Sequence, residues 1–381
     1  MKSYSIFDLP CVRPLGRYHQ PSAWSAGALP LFWAGSGLEL CFTGSELHLL
    51  LEADFSSAEP WIAAELNGAP VLRMPLNQGV QDVCVFRGMT PGVPKHVRVF
   101  KETQPVSDDP AHRLWVRKVS GDAGEFLPLP APACRLEFVG DSLTSGEGVI
   151  GARKEEDWVP ALFSASRTWA KQCADLMRAD FRLISQSGWG VRSGWDNDPG
   201  HTLPGIYERI CGPALGEENQ KMGAQQDNGF ALWQPDVILI NLGTNDAGAM
   251  NNPAWQGPVG QRFQQKNDPD GLAAFADAAV DFLKMLRQHN PAAKLVWAYG
   301  MADAPLQSCL EGAVERFCRE TGEQSAYYLP LPGVTEDTMG SRQHPGPLCH
   351  AAAARTAAQF LKQLPDDAGD CRDPVSAADC L

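Results

Sequence analysis

Residues 135–148, RLEFVGDSLTSGEG, decide the fold of this chain. An apolar run typical of a buried strand, 135–139, ends in a glycine, and Ser142 follows with further glycines just beyond it. A strand that ends in this way brings a hydroxyl to the carboxyl edge of a sheet, where a substrate can reach it. Ser142 is therefore a candidate nucleophile. A serine in this position is also commonly a helix N-cap or a turn residue.

The chain around and after this segment alternates between strand and helix patterns. Strands are predicted at 135–139, 181–184, 236–242, 294–299 and 325–329, and helices at 168–177, 272–287, 306–319 and 350–364. This alternation predicts an α/β/α arrangement, in which a parallel sheet carries helices on both faces. Ligands of such sheets bind at the carboxyl ends of the strands.

The chain before this segment has a different pattern, with short strands separated by turn residues. Candidate strands are 38–42, 46–51, 61–66, 71–74, 83–86, 96–101 and 115–119. Asn67-Gly68 is typical of a tight hairpin turn. Closely spaced strands without a helical period indicate a β-sandwich. The proline-rich stretch LPLPAPA at 127–133 is typical of a connector between two domains.

The sequence thus predicts a β-sandwich at 1–130 and an α/β/α domain at 131–365. Residues 366–381 are polar and acidic and have no periodicity, so a disordered tail is expected there.

Charge and composition narrow the possible partners. The 381 residues carry a formal net charge of −13, which disfavours nucleic acid and anionic membrane surfaces as partners. No apolar run is long enough for a membrane span, and the first residues lack the apolar region of a signal peptide. The 11 cysteines are odd in number and form no CxxC pair, which indicates reduced thiols and a cytoplasmic location.

Two further strand ends carry groups that suit an oxyanion site. The strand at 181–184 runs into a glycine-rich segment that contains Gly190, and the strand at 236–242 runs into Asn245. Backbone N–H groups from two loops and a side-chain amide are the donors that stabilise an oxyanion. We therefore expect the backbone of Ser142 and Gly190, together with the Asn245 side chain, to form this site.

A serine nucleophile also needs a base to accept its proton. Of the eight histidines, His344 lies in the loop between the last strand and the closing helix, on the side of the sheet where the other loops gather. His344 is the candidate base. His350 begins the closing helix and is expected to be a cap or a packing residue.

These motifs resemble the four blocks of the SGNH/GDSL hydrolase superfamily. The matches are Ser142 in GDSL, Gly190 in SQSGWG, Asn245 in GTND and His344 in SRQHP. In the glycine block, Gly188 is the second candidate. The N-terminal β-domain, with VRVFKET at 97–103, is similar to the jelly-roll that precedes the SGNH hydrolase domain in carbohydrate esterase family 2. The resemblance covers nearly the whole chain except the tail.

The histidine block departs from the superfamily pattern at one position. The superfamily usually has an Asp three residues before the histidine, and Ser341 stands there in this chain. That Asp orients the imidazole and stabilises its charged form. The resemblance to family 2 implies that a Ser–His dyad, with a backbone carbonyl that holds the ring, can replace the triad. Asp303 and Asp337 are possible substitutes that the sequence does not rank.

The resemblance implies a serine esterase that removes O-acetyl groups from plant cell-wall polysaccharides or oligosaccharides of the mannan or xylan type. Such a reaction passes through an acetyl-serine intermediate and needs no cofactor or metal. Histidine spacings typical of a zinc site are also absent from the sequence. The expected partner is an acetylated carbohydrate, and the sequence does not predict the oligomeric state.

Several tryptophans lie near the predicted strand ends, where an indole face can stack on a sugar ring. They are Trp189, Trp195 and Trp297, with Trp255 as a candidate lid residue in a long loop. For any one tryptophan, a place in the core is the more common role.

Two alternative functions stay open at this point. One is an esterase or thioesterase for other acyl groups, which would use the same residues. The other is a carbohydrate-binding protein with a degenerate hydrolase layer, an alternative that the unusual Ser341 keeps open.

Overall fold

The computed structural model describes residues 1–365, of which 1–127 form two antiparallel sheets packed face to face. The elements are β1 Lys2–Tyr4, β2 Arg13–Leu15, α1 Gln20–Ala26, β3 Leu29–Pro30, β4 Gly37–Phe42, β5 Leu47–Asp54, β6 Trp61–Leu66, β7 Ala69–Pro75, β8 Gly79–Phe86, β9 Lys95–Lys101, β10 Arg113–Gly121 and β11 Phe126–Leu127. One sheet has the order β1-β10-β5-β8 and the other β11-β4-β9-β6-β7, while the short β3 and β2 pair with β10 and β4.

Alternating side chains hold this sandwich together. Leu38 and Leu40 of β4 face Leu49 and Leu51 of β5 in one fully buried cluster between the sheets. The β6–β7 hairpin turns at Asn67-Gly68, where both residues have positive φ, as the sequence predicts. Each strand predicted from the sequence is present, and the short β1, β2, β3 and β11 are additional.

Residues 128–365 form a sheet of five parallel strands between two layers of helices, with a small separate hairpin. The elements are β12 Arg135–Gly140, α2 Ser142–Ser145, α3 Trp169–Leu176, β13 Asp180–Ser185, α4 Glu217–Lys221, β14 Val237–Asn241, α5 Thr244–Ala249, β15 Trp255–Gln256, β16 Arg262–Phe263, α6 Pro269–His289, β17 Lys294–Gly300, α7 Gln307–Thr321, β18 Ala326–Leu331 and α8 Pro347–Leu361. The parallel sheet has the order β13-β12-β14-β17-β18.

The central strand β14 shows why the domain has three layers. Ile238 and Ile240 pack into a buried cluster with side chains of α6 and α7. Val237 and Leu239 point to the other face and pack with side chains of α3 and α8. Because successive residues of a strand face opposite sides, an apolar run such as VILI needs a helix layer on each face. This arrangement agrees with the predicted fold class.

The β-sandwich contacts the α/β/α domain through polar groups at the end of β9. The buried Glu102 accepts a hydrogen bond of 2.9 Å from the backbone N–H of Ser166. Gln104 Oε1 accepts one of 2.8 Å from the backbone N–H of Ser187, in the loop that follows β13. The sandwich therefore touches the loop in which the sequence places part of the active site.

The boundary between the two parts lies in the proline-rich stretch, since β11 ends at residue 127 and β12 begins at residue 135. The disordered tail expected at 366–381 lies outside the described residues. Across residues 1–365, every helix is too short or too polar to cross a membrane.

Candidate active site

A tight turn from β12 into α2 positions the nucleophile candidate. A side chain at Gly140 would lie 2.1 Å from Thr144 Oγ1, so only glycine permits this turn. Asp141 caps the short helix, because its Oδ1 accepts a 3.0 Å hydrogen bond from the Leu143 N–H. Ser142 is the first residue of α2 and keeps 8% of its surface exposed. Its hydroxyl therefore stands at the carboxyl end of β12.

The loop before α8 holds the candidate base in a defined tautomer. The Nδ1 of His344 lies 2.7 Å from the carbonyl oxygen of Arg342. Because a carbonyl oxygen can only accept, Nδ1 carries the proton and Nε2 keeps its lone pair. Arg342 and Gln343 have positive φ values of 53° and 58°, and this left-handed turn brings the carbonyl back to the ring.

The histidine loop packs directly on the loop that follows Ser142. A side chain at Gly148 would lie 2.8 Å from the Cβ of His344 and 2.5 Å from the carbonyl oxygen of Ser341. The Ser341 N–H also donates a hydrogen bond of 3.0 Å to the carbonyl oxygen of Gly148. Gly148, the third glycine of the GDSLTSGEG segment, thus permits the close approach of the two loops.

Arg342 fixes the histidine loop through its side chain and its backbone. Its Nε lies 2.7 Å from Oε1 of the buried Glu147, and its Nη1 donates to the carbonyl oxygen of Glu156 at 2.8 Å. Its N–H donates to the carbonyl oxygen of Glu155, also at 2.8 Å. The carbonyl that holds the imidazole therefore belongs to an anchored residue. Neither Arg342 nor Glu147 was expected from the sequence to position the histidine, although Glu147 lies within residues 135–148.

The structure explains the departure at Ser341. This side chain is fully buried, and its Oγ lies 2.1 Å from where a Cβ of Gly151 would be. Asp303 and Asp337, the substitutes considered from the sequence, are exposed, and neither hydrogen-bonds to His344 within residues 1–365. The partner of the imidazole in this structure is a backbone carbonyl.

The two glycines of this loop differ in what their backbone N–H groups contact. The Gly190 N–H donates a hydrogen bond of 3.2 Å to the carbonyl oxygen of His201, so its expected role as an oxyanion donor would require it to leave this contact and stays a prediction. Gly188, the second candidate, has a φ of 80°, and its N–H meets no acceptor among residues 1–365. The Ser142 N–H likewise has no acceptor in this part of the chain. The available pair of backbone donors is therefore Ser142 and Gly188.

Asn245 connects the three strand-end loops. Its Nδ2 lies 3.1 Å from Asp141 Oδ2 and 3.0 Å from the carbonyl oxygen of Trp189. The next residue, Asp246, is fully buried and accepts hydrogen bonds from the N–H groups of Val191 and Arg192 at 2.8 and 2.9 Å. Asp246 thus fixes the glycine loop. Its position after Asn245 at a strand end was the sequence signal that could have revealed it.

Burial changes the charge of the site. The pKa of Asp141 is raised to about 7, mainly by burial and also by the nearby carboxylates of Asp246 and Glu147, against the lowering effect of the Leu143 N–H. Burial also raises the pKa of Asp246. A large fraction of Asp141 is therefore neutral near pH 7. This limits the negative charge beside the position where an oxyanion would form.

His350 is a packing residue rather than a second base. Its Nδ1 accepts a hydrogen bond of 2.9 Å from the Trp169 N–H, and the ring is fully buried. Its pKa is lowered to about 3, mainly by burial and also by the nearby His344. The imidazole is neutral at physiological pH, in agreement with the sequence expectation.

The four tryptophans proposed as sugar contacts lie in different environments. Trp297 is wholly buried and its Nε1 donates to the Leu242 carbonyl oxygen, so the sugar-binding expectation for Trp297 is wrong. Trp189 is 8% exposed and stacks on the ring of His201. Trp255 is half-buried in the β15–β16 hairpin.

Trp195 is the exposed member of this set. It is 56% exposed, and its Cδ1 lies 3.1 Å from the Cβ position of Gly188. The backbone N–H of Trp195 donates a hydrogen bond of 2.9 Å to the carbonyl oxygen of Gly188. The indole therefore stands directly beside a candidate oxyanion donor.

Within residues 1–365, a group of His, Cys, Asp or Glu side chains close enough to share a metal ion occurs in the β-sandwich, and none occurs around Ser142.

Comparison with known proteins places the site in a family. The profile of the GDSL-like lipase/acylhydrolase family matches residues 138–352, which begin at β12 and include Ser142 and His344. The chain belongs to this GDSL-like family. This membership confirms the resemblance to SGNH hydrolases, and solved structures of family 2 carbohydrate esterases share the fold of this chain.

One solved structure is similar to this GDSL-like chain over nearly its whole length. It is an acetyl xylan esterase from the rumen bacterium Butyrivibrio proteoclasticus, with 38% identity, a TM-score of 0.91, and coverage of 95% of this chain and 97% of that one. The family 2 carbohydrate esterase from Clostridium thermocellum has a TM-score of 0.75 at 22% identity and covers 92% of this chain and 98% of that one, a likeness that shows the fold alone.

Curated relatives of this family member carry related names. An acetylxylan esterase/glucomannan deacetylase of Cellvibrio japonicus is 24% identical over 94% of this chain and 90% of its own length. The cellulase/esterase CelE of Acetivibrio thermocellus is 25% identical over 87% of this chain, and the chain spans 37% of the length of that relative.

Proposed function

We propose that this protein is a serine esterase that removes O-acetyl groups from plant cell-wall polysaccharides of the xylan and glucomannan type. The observation that carries the proposal is the docking of the His344 loop on the Ser142 loop, with the imidazole tautomer fixed by the Arg342 carbonyl. The 38% identity to an acetyl xylan esterase, spread over 95% of the chain, supports the substrate class.

The reaction begins with acyl transfer to the enzyme. His344 Nε2 accepts the proton of the Ser142 hydroxyl while Ser142 Oγ attacks the acetyl carbonyl carbon, which forms the C–O bond of a tetrahedral intermediate. The Ser142 and Gly188 N–H groups stabilise the oxyanion, and the Asn245 amide joins them when it gives up one of its two contacts, to Asp141 Oδ2 or to the Trp189 carbonyl oxygen. As the intermediate collapses, the bond to the sugar oxygen breaks and His344 returns the proton to that oxygen. The products of this half-reaction are the free sugar hydroxyl and acetyl-Ser142.

Water completes the cycle by the same steps. His344 Nε2 accepts a proton from the water molecule, whose oxygen attacks the acetyl carbonyl of acetyl-Ser142. The second tetrahedral intermediate uses the same oxyanion donors, and its collapse returns the proton to Ser142 Oγ and releases acetate. The protein residues supply each proton transfer in this scheme, so the proposed reaction uses no cofactor.

The Arg342 carbonyl has a narrower role than the carboxylate of a triad. It accepts the Nδ1–H and thereby fixes the tautomer and orientation of the ring, but it carries no full charge to stabilise the imidazolium. Arg342 and Glu147 act as positioning residues, because they hold this carbonyl in place without touching the reacting atoms.

The surroundings of the site suit a sugar. The exposed indole of Trp195 beside Gly188 offers an apolar face on which a sugar ring can stack, next to the place where the acetyl group would react. A neutral acetylated glycan is also insensitive to the net charge of −13 on the chain.

Reduced thiols support a cytoplasmic location as part of this proposal. The nine cysteines among residues 1–365 are outside any disulfide bond, and burial raises the pKa of Cys211 to about 12 and that of Cys349 to about 11. Such thiols behave as small apolar side chains. Cys371 and Cys380 lie outside the described residues.

The test of the proposed function is product analysis with purified protein. We expect acetate release from acetylated xylan and acetylated glucomannan, followed by NMR to identify the deacetylated positions. A parallel series of aryl esters of increasing acyl length should show the highest kcat/KM for acetate. A preference for long acyl chains would favour a lipase or thioesterase, and binding of these glycans without acetate release would favour a carbohydrate-binding protein.

A further inference from the structure

The outer face of the β-sandwich carries a group of side chains that the reaction does not use. Strands β5 and β8 are antiparallel neighbours, and His48 of β5 lies opposite Cys84 of β8. Glu46 precedes His48 by two residues, and one ligand atom each from Glu46, His48 and Cys84 lies within 4.8 Å of the other two. Residues 47, 49, 83 and 85 belong to the core cluster, so these three side chains occupy the opposite face of the sheet.

A local irregularity brings the three residues together. The pairing of β5 with β8 shifts register between Leu47 and His48, so that Leu47 pairs with Phe86 and His48 with Cys84. A bulge of this kind turns side chains away from their regular positions. The 35 residues between His48 and Cys84 explain why the sequence shows no recognisable ligand spacing.

His48 is oriented as a metal-ligating histidine usually is. Its ring is buried, and its Nδ1 lies 2.9 Å from Oδ2 of Asp82, which can accept the Nδ1–H and so leave the lone pair on Nε2. That Nε2 lies 2.8 Å from Oε1 of Glu46. A lone pair and a carboxylate oxygen repel each other at this distance, and a cation bound to both relieves the repulsion.

The chemistry of the donors selects the ion. A thiolate sulfur, an imidazole nitrogen and a carboxylate oxygen together suit Zn²⁺, a borderline-soft ion, better than Mg²⁺ or Ca²⁺, which prefer oxygen ligands. Arg87 Nε lies 2.7 Å from Glu46 Oε1 and holds this carboxylate in place beside His48. Three protein ligands and one water would complete a tetrahedral site.

We propose that Glu46, His48 and Cys84 form a zinc-binding site on the β-sandwich, with Asp82 as the residue that orients His48. Strand β8 is at the edge of its sheet, so the ion would clip this edge strand to β5. Without a metal, the same residues form a network of hydrogen bonds and ion pairs in which His48 bridges two carboxylates. The experiment must therefore distinguish metal coordination from this network.

Cobalt is the most direct probe, because Co²⁺ takes the place of Zn²⁺ and has visible absorption. The full chain, treated with a chelator and freed of it, is titrated with Co²⁺ and then with Zn²⁺. We expect one equivalent of Co²⁺ to give a sulfur-to-cobalt charge-transfer band and the intense visible bands of a tetrahedral site. One equivalent of Zn²⁺ should then abolish them.

Matched variants assign the signal to the proposed ligands. Cys84→Ser should remove the charge-transfer band, whereas Cys41→Ser, at another half-buried thiol of the sandwich, should retain it. Asp82→Asn keeps all three ligands and should weaken Zn²⁺ binding by about 10- to 100-fold. Retained hydrolysis of an aryl acetate shows that each variant is folded. Absence of the band in the unmodified chain, or its persistence in Cys84→Ser, would overturn the proposal.

Discussion

The Nδ1–H of His344 donates a hydrogen bond of 2.7 Å to the carbonyl oxygen of Arg342, two residues earlier in the same loop. A carboxylate from a distant part of the chain is not needed for this contact, because the left-handed turn at Arg342 and Gln343 brings the acceptor to the ring. The position where the superfamily usually has an Asp is filled by the buried Ser341. The base is thus oriented by the loop that contains it.

A dyad predicts that the exposed carboxylates near this loop are dispensable. Asp303→Asn and Asp337→Asn should each retain most of the acetylesterase activity, because neither side chain contacts His344. Measurement of kcat and KM on an aryl acetate is sufficient. A loss of about a thousandfold in either variant would reveal a hidden triad.

The anchoring of Arg342 should matter for kcat rather than for KM. Arg342→Gln removes the ion pair with Glu147 and the hydrogen bond to the Glu156 carbonyl, and it frees the carbonyl that orients the base. We expect kcat to fall by about 10- to 100-fold with KM little changed. Arg342→Lys should restore part of this loss through its charge.

The matched control for this variant is Arg153→Gln. Arg153 forms an exposed ion pair with Glu336 in a neighbouring segment, a contact of the kind that contributes little. The kcat of Arg153→Gln should be close to that of the unmodified enzyme. Equal losses in Arg342→Gln and Arg153→Gln, or a thermal midpoint that falls in step with kcat, would argue against a positioning role.

Trp195 should contribute to binding of the glycan and not to the chemistry. Trp195→Ala should raise KM for an acetylated oligosaccharide by about 3- to 10-fold, since it removes an exposed stacking face. Hydrolysis of a small aryl acetate should be nearly unchanged. Trp24→Ala is the control, because Trp24 is 62% exposed and lies in α1 of the other domain. Equal effects on both substrates would contradict this role.

The buried His350 predicts a specific pH dependence of stability. Its pKa is lowered from 6.5 to about 3, so the neutral ring contributes stability above pH 6.5 that is lost as the pH falls. The raised pKa of Asp141 has the opposite effect on the stability of the protein. Its contribution to the free energy of unfolding increases as the pH falls below about 7. The overall curve therefore mixes both effects, and a comparison of variants separates them.

His350→Gln isolates the histidine contribution. At about pH 7 the variant should unfold more easily, and its deficit in free energy of unfolding should shrink by about 2 kcal/mol between about pH 7 and pH 5. Denaturant unfolding at the two pH values measures this change. A deficit that is the same at both would mean that the ring is not held neutral by burial.

Much of the fold follows from local patterns. Strands β4 and β5 alternate between apolar and polar residues because one face of each strand is buried. Strand β14 is continuously apolar because both of its faces are buried. The structure has these strands at nearly the predicted positions. The short β1, β2, β3 and β11 span two or three residues each and depend on their partners, so no periodicity could reveal them.

The candidate site was predictable where a motif sits at a strand end. Ser142 and Asn245 lie in such motifs, His344 lies in the loop between β18 and α8, and the structure brings the loops of these residues together. The choice between Gly188 and Gly190 depends on which N–H is taken by the carbonyl oxygen of His201, and that contact joins two segments 11 residues apart through a loop conformation that spacing does not show.

Other contacts that position the site join residues that are far apart in the sequence. Gln104 of the β-sandwich accepts a hydrogen bond from Ser187 of the glycine loop, across 83 residues of chain. The buried state of Trp297 is likewise a property of the packed core, since α6 and the sheet enclose it. Single-sequence patterns carry no information on either contact.

The rate of acetate release from acetylated xylan by Ser142→Ala shows directly whether Ser142 is the nucleophile. This variant should remain folded, with an unchanged thermal midpoint, and its acetate release should fall to the background rate because the nucleophile is gone. Ser145→Ala, a buried serine of the same short helix, is the matched control and should retain activity. Unchanged acetate release by Ser142→Ala would contradict the assignment of Ser142 as the nucleophile.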